Sequence, residues 1–167
     1  MAVAAWRSWL AGGAVVVAVA LVVVSLDKLW SYANTDNPAV VEQSRVVGVA
    51  NAACARMRDA TAAAAVGTAA PIGQRVGALN AQNDAVTQMV STIRRLVPAD
   101  QLSSDQPVER WLDDWGILVR ERDAYAHSLA TGKPTSLAMP VVGGRSLADR
   151  LNNVGLNCRV PFVLLAP

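Results

Sequence analysis

Eighteen consecutive residues, Trp9 to Leu26, carry no charge and are mostly valine, alanine and leucine. A helix rises ~1.5 Å per residue, so the run covers about 27 Å, close to the ~30 Å hydrocarbon core of a bilayer. A valine run makes a mediocre helix in water, but in lipid the backbone must satisfy its own hydrogen bonds and is driven helical. Trp6 and Trp9 stand at one end and Trp30 and Tyr32 at the other, the places where aromatic rings sit among headgroups. Leu29 and Trp30 extend the apolar face, while Lys28 can snorkel. The expectation is a transmembrane anchor over residues 9–30.

A cleaved signal peptide is the rival reading, with Ser31-Tyr32-Ala33 offering small residues near a cleavage point at Ala33. The apolar run exceeds the usual ~7–15 residues of a signal core, which favours retention. Arg7 precedes the span, while Asp27 and Lys28 cancel after it, so the positive-inside bias points to a cytoplasmic N-terminus and an exported body. The expected division is a cytoplasmic tail over 1–8, the anchor over 9–30, a linker over 31–36 and an extracytoplasmic domain over 37–167. Cleavage would instead release a secreted protein. Gly12, Gly13, Ala14 and Ala18 form a small-residue strip suited to packing on another membrane helix.

The exported part is sized for one core. The whole chain has one Phe, so Val, Leu, Ala and a few Trp must build that core. The formal charge of +2 gives no electrostatic case for nucleic acid. Charges are sorted all the same: residues 37–95 carry a net +3, residues 100–123 a net −4, and residues from Lys133 onward a net +3. Solvated faces are the expected use of these blocks, because an exposed ion pair is worth only ~0–1 kcal/mol.

Asn37-Pro38 has the form of a helix start, with the helix running to about Ala64 and Val40, Val47, Cys54 and Ala55 on one side. Pro71 opens a second helix. Ile72, Val76, Leu79, Asn83, Val86, Val90, Ile93 and Val97 recur there at alternating spacings of four and three, until Pro98 stops it. A third helix spans Val108 to about Leu129, with Trp111, Trp115, Leu118, Arg122, Tyr125 and Leu129 at the same spacing. Lys133 to Gly144 is expected as an extended loop, Ser146 to Val154 as a short helix, and the tail from Cys158 as non-helical. No stretch alternates long enough to demand a sheet. The predicted fold is all-α, an N-terminal transmembrane helix followed by an antiparallel three- to four-helix bundle.

Cys54 and Cys158 are the only cysteines. In an exported domain such a pair usually bonds, whereas in a reducing compartment both would be inert core residues. No Cys-x-x-Cys is present to support thiol chemistry. His127 has no ligand cluster around it, and Asp113 and Asp114, about 100° apart on a helix, are expected on a solvated face. Neither a metal nor another cofactor is expected. Asn51, Asn83 and Arg122 fall on apolar stripes. Either they reach water at a helix edge, or they form a buried polar network or a partner contact.

Trp111-Leu-Asp-Asp-Trp115, followed by Arg120, Arg122 and Tyr125 and then by Arg150, Asn152, Asn153, Cys158 and Pro161, resembles small single-pass envelope proteins of high-GC actinobacteria. The resemblance covers about residues 105–161 and implies an envelope location and a disulfide-stapled helical domain. It carries over no catalytic residue.

The expected function is therefore a non-enzymatic accessory or scaffold protein that meets another membrane or envelope protein, with room for a homo-oligomer. The alternative is a helical sensor or a module for a small ligand or lipid, acting through a partner.

Overall fold

A computed structural model describes residues 21–26, 40–41, 44–104, 106–133 and 135–166. The expected tail over 1–8, the linker over 31–36, the helix start at Asn37-Pro38 and the Gly12, Gly13, Ala14, Ala18 strip lie outside these residues. So does most of the expected span 9–30. Residues 21–26 are helical, and they belong to a unit separate from the rest. Among the described residues, no helix is long and apolar enough to cross a membrane.

The body is mostly helical. Its elements are α1 (Ser44–Ala63), α2 (Ile72–Leu96), α3 (Ala99–Ser104), α4 (Gln106–Ala130), β1 (Val141–Val142), β2 (Arg145–Ser146), α5 (Leu147–Asn152) and α6 (Phe162–Leu165). The long helices follow from local signals. Pro71, at φ −52°, is preset for the start of α2, and Arg94 and Arg95 meet the negative end of its dipole. Gly132, at φ 70°, ends α4 in the left-handed conformation, so Lys133 N donates to Ser128 O at 3.0 Å and Gly132 N to Leu129 O at 3.2 Å. At α5, Ser146 Oγ accepts from Asp149 N at 3.1 Å.

Several boundaries depart from expectation. Val40 and Val41 are not helical, against the expected helix from Asn37-Pro38, because Val41 N donates to Val154 O at 3.0 Å and not within a helix. The face of α1 turns accordingly: Val46, Ala50, Ala53, Cys54 and Met57 are buried, while Val40 is exposed. The loop over 133–144 contains an unforeseen two-residue ladder, Val141 opposite Ser146 and Val142 opposite Arg145. Gly143 and Gly144, at φ 59° and 80°, supply the two positive dihedrals that such a tight hairpin turn requires. The tail, expected non-helical, makes one helical turn as α6, entered from Pro161 at its N-cap.

Helix α2 carries the two extensive helix–helix interfaces, one with α1 and one with α4. The pairs Arg94 with Asp113 and Asn83 with Asp123 set α2 and α4 antiparallel. The fourth wall is the C-terminal segment rather than another long helix. Leu147, Leu151, Leu156, Cys158 and Leu164 join the core formed by Met57, Val86, Met89, Ile93, Trp111, Trp115 and Leu118. The two tryptophan rings meet edge to face at 6.2 Å and 84°.

An extended chain inside a bundle must find partners for its backbone groups. Here Asn51 Oδ1 accepts from Asn157 N at 3.0 Å, and Arg58 Nη1 donates to Asn157 O at 2.9 Å. Asn152 Oδ1 accepts from Val160 N at 2.8 Å, and Trp111 Nε1 donates to Leu151 O at 3.2 Å. Cys54 and Cys158 close the arrangement as a disulfide across 104 residues, with Cα atoms 5.4 Å apart. Met89 Sδ lies 3.4 Å from Cys54 Sγ and 3.9 Å from Cys158 Sγ, so sulfur packs on sulfur in the core.

Candidate functional site

The sequence points to Arg122, and the structure buries it completely. A buried guanidinium needs acceptors for a planar fork of donors. Nε donates to Asn83 Oδ1 at 2.8 Å, Nη1 to Leu164 O at 2.7 Å, and Nη2 to Gln82 Oε1. Asn83 in turn donates through Nδ2 to Asp123 Oδ1 at 2.6 Å. The counter-charge is thus relayed through an amide rather than placed against the cation. Desolvation by burial lowers the Arg122 pKa to about 10, with Asp123 pulling the other way. Arg122 remains a cation at neutral pH.

Asn83 and Arg122 therefore do not reach water at a helix edge. They form a buried network that ties α2, α4 and α6 together. Asn51, half-buried, stands apart from this network and serves the main chain at Asn157. Gln82 was invisible from sequence because it sits beside the apolar stripe of α2, not on it. The one available signal was that a buried arginine on α4 needs more than one acceptor.

Asp113 and Asp114 part ways. Asp113 is exposed and pairs with Arg94 at 2.8 Å. Asp114 is buried, contrary to the expected solvated face, because Arg150 reaches it with Nε at 2.9 Å and Nη2 at 3.0 Å. The acidic and basic blocks of the sequence meet at these two pairs. His127 is exposed near the end of α4. Among the described residues, no group of three or more His, Cys, Asp or Glu could hold a metal ion.

Next to the Arg122 network lies a small open groove of about 70 Å³. Val66, Gly67 and Thr68 of the α1–α2 connection form one wall; Arg75, Ala78, Leu79 and Gln82 of α2 form the floor; Val163 and Ala166 close the far side. Arg75, Leu79 and Gln82 recur at spacings of four and three, so one stripe of α2 lines the groove from end to end. Arg75 Nη2 stands 3.5 Å from Tyr125 Oη on α4.

No protein-family model, curated protein or solved structure matches this chain.

Proposed function

We propose that the chain is a single-pass envelope protein whose exported helical body acts as a non-enzymatic accessory or scaffold for another membrane or envelope protein. The observation that carries the reading is the buried Cys54–Cys158 disulfide, which belongs to an oxidising compartment and fixes the fourth wall of the body. The anchor has its own support. In the helical stretch 21–26, Leu21, Val22, Val23, Val24 and Leu26 are all between 56% and 63% exposed. An apolar helix that is bare all round suits lipid better than water. A protein partner is supported by Phe162, the sole phenylalanine, which is 79% exposed on α6 while Trp111 and Trp115 are buried. Aromatic side chains are enriched where proteins meet.

The test is a photo-crosslinker placed at Phe162 in cells, followed by mild-detergent extraction. A discrete adduct with one envelope protein, lost when the crosslinker is moved to exposed His127, supports the reading. A chain that crosslinks to nothing at native abundance counts against it.

A second reading is a ligand-binding module that acts through a partner. It is favoured by the groove beside Gln82, which combines apolar walls with a few polar groups, the usual composition of a small-ligand site.

A further inference from the structure

We infer that the groove between α2 and the last turn of the chain binds a carboxylate carried on a slim aliphatic stem. This inference rests on the second reading above and names the ligand class. Val66, Ala78, Leu79, Val163 and Ala166 supply apolar walls, and no carboxylate lines the groove. Of the polar side chains that line it, Arg75 can only donate, and Thr68 can donate or accept. A guanidinium can only donate, so the bond from Arg122 Nη2 takes up the oxygen of the Gln82 amide and leaves its NH2 end as a fixed donor. Gln82 is only 3% exposed and lines the groove, so this donor sits in a nearly dry site.

Arg75 is the second donor, and no described carboxylate lies within ion-pair distance of it. Tyr125 is one helical turn from Arg122, which itself bonds Gln82. Arg75 lines the same groove as Gln82 and meets the neutral Tyr125 hydroxyl at 3.5 Å, so its charge is not neutralised there. Behind Gln82 stands Arg122, whose buried charge is answered only through Asn83 by Asp123. Arg75 and Arg122 thus place two cations at or behind this wall, and a low-dielectric surround strengthens their pull on an anion.

Two donors match the two oxygens of a carboxylate, whereas a phosphate would leave oxygens unpaired against the apolar walls. An ammonium would meet the like charge of Arg75, with no carboxylate in the lining to offset it. Size sets the stem. A cavity of about 150 Å³ holds a benzene, so 70 Å³ takes a short aliphatic end, and a longer molecule must leave through the open side. A free short-chain acid and the carboxyl end of a peptide with small last residues share this chemistry.

The experiment is a methyl and glutamine side-chain NMR titration of the full chain in a non-ionic detergent. The probes are butyrate, butylamine, butyramide, N-acetyl-alanyl-alanine and the amide of that dipeptide. Butyrate is expected to move the Gln82 side-chain amide and the Leu79 and Val163 methyls saturably, and butylamine to move none of them. Arg75→Gln should weaken binding about tenfold or more, the factor for losing a charge-assisted hydrogen bond, and Arg75→Lys should restore part of it. Binding of the dipeptide acid, but not of butyrate or the dipeptide amide, also supports the inference and identifies the source as a peptide terminus. Butyramide or butylamine binding as well as butyrate overturns the carboxylate but leaves a ligand module standing. No saturable shift from any probe overturns both.

Discussion

Arg122 Nη1 donates to the carbonyl oxygen of Leu164 at 2.7 Å, which fastens the last helical turn to α4 across 42 residues. The same guanidinium holds Asn83 and Gln82 of α2, so one side chain bridges three elements. Arg122→Ala leaves three acceptors without their donor in the interior. Each unsatisfied group costs ~1–3 kcal/mol, so the loss should exceed about 3 kcal/mol in urea unfolding. Arg122→Lys should recover only a minor part, because an ammonium cannot serve three acceptors spread around a planar fork.

The alkaline limb gives an independent check on the same residue. Burial lowers its pKa to about 10, well below that of the free side chain. Below about pH 10 the group is protonated in both states and adds no pH dependence. Above that, the unfolded chain binds the extra proton, so this group makes stability rise with pH. Unfolding of the native chain and of Arg122→Met should therefore differ by a constant amount from pH 7 to 9. The difference should then shift in favour of the native chain as the pH passes about 10.

Asp114 and Asp113 are neighbours with opposite expected costs. Asp114→Asn weakens the two-pronged contact between a buried carboxylate and the partly exposed Arg150 and should cost ~1–3 kcal/mol. Asp113→Asn removes an exposed pair with Arg94 and should cost ~0–1 kcal/mol. Equal effects in denaturant melts would show that the buried pair is not formed.

Gly155 has φ 77°, and a Cβ there would run into the Val40 side chain. Gly155→Ala should cost more than the ~1–2 kcal/mol of the left-handed backbone alone. Val40→Ala should relieve the excess, but not the backbone part. A double-mutant cycle reads that coupling directly, and additive effects would mean the clasp between Val40 and Gly155 does not exist.

The stripes of α2 and α4 were legible because large apolar residues recur at spacings of four and three. Helix α1 was not. Its alanines fit several faces equally, and Val41 ahead of it is taken out of the helix by a backbone bond to Val154, far along the chain. The C-terminal segment shows why sequence could name Cys158 but not the wall it anchors. Its main chain is satisfied by Asn51, Arg58, Trp111 and Arg122, each from a distant helix. The partner of Asp114 was hidden for the same reason, since Arg150 lies 36 residues away and on another element. Arg122 and Asn83 could be singled out, but the choice between edge and interior needed the acceptors to be seen.

The C-terminal wall should be the first part to loosen when the disulfide is lost. Cys54→Ser and Cys158→Ser should each lower stability by ~2–5 kcal/mol. Both should speed amide exchange from Leu156 to Leu164 more than in α2. Because Asn51, Arg58 and Arg122 still hold that segment, the variants should remain folded at moderate temperature. Two variants that differ widely would mean the cysteines do not act as a pair.

The most direct test of the account is differential thiol labelling of the protein in intact cells. The cells are lysed straight into denaturant that holds the first alkylating reagent, so that buried free thiols also react without reductant, and the bonded ones are labelled with a second reagent after reduction. An exported body closed by Cys54 and Cys158 predicts that both cysteines take only the second label. First-label modification of both cysteines would contradict the disulfide, and with it the assignment of the body to the oxidising side of the membrane.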